Sequence, residues 1–286
     1  MKKLGIGFLA FGTVWIVLQW IPPRTSESRS VLEGDVFRIA HRCGKHVYPE
    51  NTLFACKQIR DRRMADFLEF DFHLTKDGVP VVIHDDFLER TTNGKGLVRE
   101  KNWEEISQLD AGYHFTPDQG LTYPYRGKGI RLNTLEDFFR ELKSEKLMVE
   151  IKPDSTEAAD ILLDLIEAYK LQDRIIVGSF HQRVKDYLVE KKPELAFFAS
   201  KQEVILWVLL EKVGLSHLDR IPSQTMALPP RQSILVLNSE LIRKLHSQNV
   251  KVYVWTINDR ESLEYWKNEG VDGVMTDDPR LFESIF

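Results

Sequence analysis

The chain has 286 residues, 39 Lys and Arg against 43 Asp and Glu, and 43% hydrophobic residues, 10% of the total being aromatic. That apolar content excludes intrinsic disorder, and a mean hydropathy of −0.29 with a single long uncharged stretch excludes a multi-span membrane protein. A net charge of −4 provides no global field for nucleic acid or another polyanion, so an anionic ligand needs a local binding device.

At the N-terminus, Lys2 and Lys3 precede a stretch without charge from Leu4 to Pro23. As a helix, residues 4–21 span about 27 Å, close to the hydrocarbon thickness of a bilayer. The stretch is longer than a signal-peptide core, and no A-x-A site follows it. The expectation is one N-terminal transmembrane helix, an uncleaved signal anchor, with a tether making up the rest of residues 1–30. A signal peptide cleaved near Ser26-Glu27-Ser28 and a buried core helix are the alternatives. Trp15 and Trp20 fall where an interfacial aromatic belt belongs, and the two lysines hold the short N-terminus in the cytoplasm. Residues 31–286 then form the catalytic domain outside the cytoplasm, anchored or, after cleavage, secreted. Residues 24–35, RTSESRSVLEGD, read as a polar tether.

Beyond Asp35, strand-like runs at 36–40, 67–72, 79–83, 147–151, 175–178, 195–199, 250–256 and 273–275 alternate with amphipathic stretches. The helical patterns fall at 51–63, 134–143, 156–169, 184–190, 239–248 and 260–268. This alternation implies a mostly parallel sheet covered on both faces. About eight strands make a closed α/β (β/α)₈ TIM barrel the expected fold, ahead of an open doubly wound sheet. No G-x-G-x-x-G follows a strand, so a dinucleotide site has no support. Residues 86–131, with many Gly, Pro and aromatic residues, read as an insertion after the third strand. The run Val204 to Leu210 is apolar all round and is expected to be a buried helix, an apolar lip meeting lipid or an acyl chain being the alternative.

Side chains at the C-terminal ends of barrel strands converge on one mouth. Here the first strand ends in His41-Arg42, the second carries Glu69 and Asp71, the third ends in His84-Asp85, and the fourth in Glu150-Ile151-Lys152. Residues two apart on a strand share a face, so Glu69 and Asp71 can grip one cation. With Glu150 they form an all-oxygen set suited to Ca²⁺ or Mg²⁺ rather than zinc. A lone E-x-D is more often a surface ion pair, but two histidines, an arginine and a lysine at neighbouring strand ends point to a site. His41 and His84 offer an acid and a base for one bond. Arg42 and Lys152 can neutralise a phosphate, and the combination suits phosphodiester cleavage.

The stretches IAHRCGKHVYPENTLFAC, ADFLEFDFHLTKDGVPVVIHDDFLERTTNGKG, LMVEIK, VYVWTIND and GVDGVMTDDP resemble the glycerophosphodiester phosphodiesterase family, in order from Phe37 to Pro279. The resemblance implies a barrel related to phosphatidylinositol-specific phospholipases C, with an insertion that residues 86–131 fit. It implies His41 and His84 as the catalytic pair and Arg42 and Lys152 as phosphate contacts. Glu69, Asp71 and Glu150 become ligands of one divalent cation, with Glu50 at or beside it. Trp255 becomes an aromatic wall near the substrate, barrel core being its other reading, and Asp277 takes a supporting place. His73 shares the face of Glu69 and Asp71; the remaining histidines default to structure or surface.

The implied reaction is metal-dependent hydrolysis of glycerophosphodiesters, such as glycerophosphocholine or glycerophosphoethanolamine, to glycerol 3-phosphate and an alcohol. A lysophospholipase D acting at the membrane is the alternative, and a non-catalytic phosphate-binding membrane protein a remote one. One position departs from the family: the glycine usual after His-Arg is Cys43 here. Glycine at such a place permits an unusual backbone angle or a close approach of substrate. Cys43 and Cys56 lie 13 residues apart, a spacing that says nothing about geometry, and are expected to be unpaired.

Overall fold

The computed structural model describes residues 15–232 and 235–286. The strands are β1 (Phe37–Ala40), β2 (Phe67–Leu74), β3 (Pro80–Val82), β4 (Lys146–Ile151), β5 (Ile175–Gly178), β6 (Ala196–Phe197), β7 (Thr225–Leu228), β8 (Arg231–Gln232), β9 (Leu235–Val236), β10 (Lys251–Val254) and β11 (Gly273–Thr276). Eight of them pair in the order β6-β5-β4-β2-β1-β11-β10-β7, every pair parallel. The two end strands meet through a parallel bridge between Phe198 and Thr225, where the Ala199 amide donates to the Thr225 carbonyl at 2.8 Å. The result is a nearly closed parallel barrel with helices around it, and β8 and β9 form a separate small ribbon.

Two strand assignments are corrected. Residues 79–83 do not supply a barrel strand, because β3 pairs antiparallel with β2 and, through a single bridge at Val81, with Thr134, and with no other barrel strand. The turn between them is too short for the crossover that parallel neighbours need. Thr75 closes that turn, its hydroxyl accepting from the Val79 amide, with Gly78 at a φ of 77°. The eighth barrel strand is β7, four residues between Pro222 and Pro229 whose sequence, TMAL, carries no β-branched run. Residues 86–131 are therefore carried by the β2–β3 hairpin. They build a small core of their own from Leu88, Val98, Ile106 and Ile130 against Val81 and Ile83.

Alternate residues of the barrel strands point inward, and the lower half of the barrel is filled by Phe37, Ile39, Phe67, Met148, Ile176 and Tyr253. A Cβ at Gly273 would come within 2.8 Å of the Tyr253 ring, so the bulk of that tyrosine requires glycine beside it. Moving up the same inward face, Phe67 is followed by Glu69 and Asp71, and Met148 by Glu150. The polar mouth is thus a continuation of the core by the same two-residue period.

The stretch read as a tether lies against the barrel. The Arg24 and Ser26 amides donate to the His217 and Gln248 carbonyls at 3.0 and 2.8 Å, and the Arg29 guanidinium reaches the Leu195 and Pro193 carbonyls. Val31 and Leu32 are buried beneath the barrel core. The run at 204–210 lies in the helix Lys201–Lys212, which buries Trp207 and Val208 but exposes Ile205, Leu206 and Leu209, because among the described residues no further layer packs outside it. Among the described residues no helix is long and apolar enough to cross a membrane. The anchor read at 4–21 lies mainly in residues 1–14, outside the described residues.

Candidate active site

At the end of β1 the chain turns through three successive left-handed residues, Arg42, Cys43 and Gly44, with φ of 49°, 57° and 83°. For a residue with a Cβ this conformation costs about 1 kcal/mol, which gives a physical reason for glycine at position 43. Here Cys43 is bonded to Cys56, with Cα atoms 4.9 Å apart, and the expectation of unpaired thiols is corrected. Cys56 is carried by the helix Leu53–Asp61, whose first turn is fixed by Thr52 accepting from the Ala55 amide. That helix start brings the second sulfur under the turn, a tertiary effect with no sequence signal.

The turn points His41 into the mouth. Its Nδ1 lies 2.5 Å from Asp277 Oδ1, and Asp277 also accepts from Asn258 at 2.8 Å and pairs with Lys45 at 3.2 Å. Burial alone would raise the Asp277 carboxyl, but the bond from His41 and these neighbours hold it at about 2. His84 repeats the arrangement, its Nδ1 lying 2.6 Å from Asp85 Oδ1. Asp85 is likewise held at about 2 against burial, by bonds from Arg90 and His84. An aspartate on Nδ1 fixes the proton there and leaves Nε2 of each ring for substrate. Both rings line one cavity of about 90 Å³. The His84 imidazole is lowered, first by burial and then by Lys152 and Arg42, against the pull of Asp71 and Asp85. His73 Nε2 donates to the His84 carbonyl at 3.1 Å and supports the loop that carries it.

On the facing wall, Asp71 and Glu150 are register partners on β2 and β4. Lys152 Nζ sits between them, 3.0 Å from each carboxylate. Glu69 accepts from the Arg42 amide at 2.7 Å, and Asp71 from Asn51 Nδ2 at 3.0 Å. Burial, then the charge of Asp71, pushes Glu69 well above the usual carboxylate range and Glu150 up to about 7. Asp71 is held low, burial being outweighed by Lys152, His84 and Arg42. Two of these three acids are therefore short of positive charge, which is the donor chemistry a hard divalent cation satisfies. Among the described residues no three His, Cys, Asp or Glu side chains are gathered closely enough to ligate an ion as they stand.

The other candidates also reach this mouth. Arg42 lines the cavity, and its buried Nε lies 3.8 Å from Asp71 Oδ2 without a hydrogen bond. Trp255 lines the apolar wall, stacked on Phe180 with ring centroids 6.3 Å apart. Glu50 is held by two arginines, both its oxygens accepting from Arg90 at 2.7 Å and one also from Arg42 at 3.0 Å.

The family model described as "Glycerophosphoryl diester phosphodiesterase family" matches residues 41–281. The chain belongs to this family. A glycerophosphodiester phosphodiesterase of Caldanaerobacter subterraneus subsp. tengcongensis is 32% identical over 86% of this chain and 96% of its own length. The human protein named lysophospholipase D GDPD1 is 24% identical, with 84% of this chain and 83% of that one covered. The solved structure of an Oleispira antarctica phosphodiesterase in complex with the product sn-glycerol-3-phosphate has a TM-score of 0.72 at 24% identity, covering 87% of this chain and 96% of that one.

As a glycerophosphodiester phosphodiesterase, the chain uses further residues that sequence reasoning did not single out. Arg90 binds Asp85 and Glu50 together and so ties the His84 loop to the Arg42 turn. Its signal was present only as the fifth residue after Asp85. Asn51 and Asn258 position Asp71 and Asp277, Asn51 at a left-handed φ of 54° that asparagine tolerates. Phe180 follows β5 on a loop and extends the aromatic wall.

Proposed function

We propose that this phosphodiesterase hydrolyses glycerophosphodiesters with small head groups, such as glycerophosphocholine or glycerophosphoethanolamine, to glycerol 3-phosphate and an alcohol. It does so with one divalent cation, Ca²⁺ or Mg²⁺, for which Glu69, Asp71 and Glu150 are the donors. The observation that carries the reading is the convergence of two aspartate-backed imidazoles and the Arg42 guanidinium on one cavity. When bound, the cation supplies neutralisation of phosphate charge.

The chain's own residues supply the proton movements. Arg42 and Lys152 hold the phosphate oxygens, and Trp255 and Phe180 bound the site on its apolar side. The substrate's free 2-hydroxyl attacks phosphorus to close a five-membered cyclic phosphate, a favourable intramolecular step. One imidazole Nε2 takes the hydroxyl proton as the other delivers a proton to the departing alcohol oxygen, and the P–O bond to that alcohol breaks. Water then opens the ring with the two histidines in exchanged roles. Asp277 and Asp85 stabilise whichever imidazolium forms. The glycerol 3-phosphate bound to the Oleispira relative supports this product. Residues 4–21 anchor the chain in the membrane with the barrel outside the cytoplasm.

A lysophospholipase D is the second reading, favoured by the apolar side chains of Met148, Phe180, Phe198 and Met275 that line the same cavity as the acids. The deciding experiment compares kcat/KM for glycerophosphocholine and lysophosphatidylcholine with Ca²⁺, with Mg²⁺ and with EDTA. Preference for glycerophosphocholine is expected, and preference for the lysolipid would install the second reading. Undiminished activity after metal removal would overturn the cation.

A further inference from the structure

The helix Lys201–Lys212 carries an outer stripe that stands exposed among the described residues. Ile205, Leu206 and Leu209 are about half exposed, and Val213 continues the stripe just past the helix end. Residues 205, 209 and 213 follow the four-residue spacing that lines one face of a helix. The two acids of this helix are turned to the protein. Glu203 accepts from the Ser200 amide and the Ser223 hydroxyl, and Glu211 from the Ser216 hydroxyl and Lys244. The exposed charged residues of the helix are its two terminal lysines, Lys201 and Lys212.

At the lower end of the stripe lies the chain that emerges from residues 1–14. Trp15 Nε1 donates to the Val213 carbonyl and Gln19 Nε2 to the Gly214 carbonyl, each at 2.9 Å, and His217 Nε2 donates to the Leu18 carbonyl at 3.0 Å. Trp20 beside them is 85% exposed. Residues 4–14 carry no charge, so an apolar sequence runs directly into a docked, tryptophan-bearing corner that is continuous with the stripe.

We infer that the outer face of the helix Lys201–Lys212, together with Trp15 and Trp20, is a lipid-docking surface that seats one flank of the barrel in the membrane interface. Exposed aliphatic side chains bounded by lysines, with amphipathic tryptophans at the edge, match the chemistry of a phospholipid surface. The helix starts at Ser200, just past the mouth end of β6, and runs toward the opposite end of the barrel. The docked barrel lies on its side, its mouth opening along the lipid plane. The inference goes beyond membrane anchoring, since it concerns a second contact made by the catalytic domain itself.

The test uses the full chain in phosphatidylcholine–phosphatidylglycerol vesicles, with single spin labels placed by L206C, L209C or, on the helix Thr156–Ala168, D164C. The native cysteines are paired and do not take label. The expected result is that labels at 206 and 209 collide more with dissolved oxygen than with a water-soluble nickel complex, and the label at 164 the reverse. Nickel accessibility at 206 and 209 equal to that at 164 overturns the inference. So does low accessibility to both reagents, which marks coverage by a second copy or by residues 1–14. A carbonate wash separates this from the anchor: release of protein whose labels had been in lipid removes the anchor and leaves the docking surface standing, and retention with water-exposed labels does the opposite.

Discussion

Replacing Glu150 by glutamine removes one buried carboxylate whose charge the ion pair with Lys152 only partly offsets. In the folded chain this group titrates at about 7 rather than its ordinary 4.5, through burial first and the neighbouring charge of Asp71 second. Between those values the folded state holds a proton that the unfolded chain has lost, so Glu150 makes the protein less stable as pH rises. At pH 8 the difference corresponds to about 3 kcal/mol. Asp71, Asp85 and Asp277 are ionised throughout pH 5 to 8 and add no slope. His73 and His84, both lowered, act in the opposite sense, so the diagnostic quantity is the difference between E150Q and wild type. Thermal unfolding of the full chain in detergent with EDTA is expected to give midpoints within about 3 °C of each other at pH 5, where about 0.8 kcal/mol of the difference is already present. At pH 8 the variant melts about 6–12 °C higher, less whatever Lys152 loses with its partner. Saturating Mg²⁺ or Ca²⁺ at about 100 times Kd raises the wild type by about 2.7 kcal/mol and closes the gap, while E150Q responds less and hydrolyses poorly. A variant no better off at pH 8 than at pH 5 would refute the claim that this acid awaits a cation.

His41→Ala and His84→Ala are each expected to lower kcat by about two to four orders of magnitude, measured as choline release, and near-normal turnover by either removes it from the acid–base pair. Arg90→Ala frees Asp85 and Glu50 together and is expected to reduce kcat/KM by about 10–100-fold, with Arg90→Lys failing to restore it because both contacts are forked. Loss of the disulfide in Cys43→Ser/Cys56→Ala is expected to destabilise by about 3 kcal/mol in urea unfolding, as for a loop of this length. Cys43→Gly/Cys56→Ala should be about 1 kcal/mol better than that serine variant, since glycine accepts the left-handed turn, and equal losses would contradict the backbone argument.

The alternation of side chains along a strand made much of the mouth readable in advance. It placed Glu69 and Asp71 on one face, and the parallel register then set Asp71 beside Glu150. Periodicity could not tell that 79–83 folds straight back on β2, because a short apolar run has the same pattern in a hairpin as in a barrel strand. β7 escaped for the converse reason, its four residues owing their strand form to neighbours on both sides rather than to β propensity. Glu50 stands among the site residues in sequence, but its pairing with Arg90, 40 residues on, left no local signal. The Cys43–Cys56 pairing and the docking of residues 24–32 are tertiary events of the same kind, and composition carries no trace of them.

That docked strap has a mechanical consequence. A flexible linker of twelve polar residues would let a domain roam over about 20 Å. Here the links from Arg24 to His217, Ser26 to Gln248 and Arg29 to Leu195 leave little slack between Trp20 and the underside of the barrel. Tilt and height relative to Trp20 are therefore properties of the folded protein, set by hydrogen bonds rather than by chain entropy. Residues inserted at Pro22-Pro23 would add reach only if the contacts of Trp15, Leu18 and Gln19 with Val213, His217 and Gly214 were released as well, so the strap and that corner hold the barrel at two separate points.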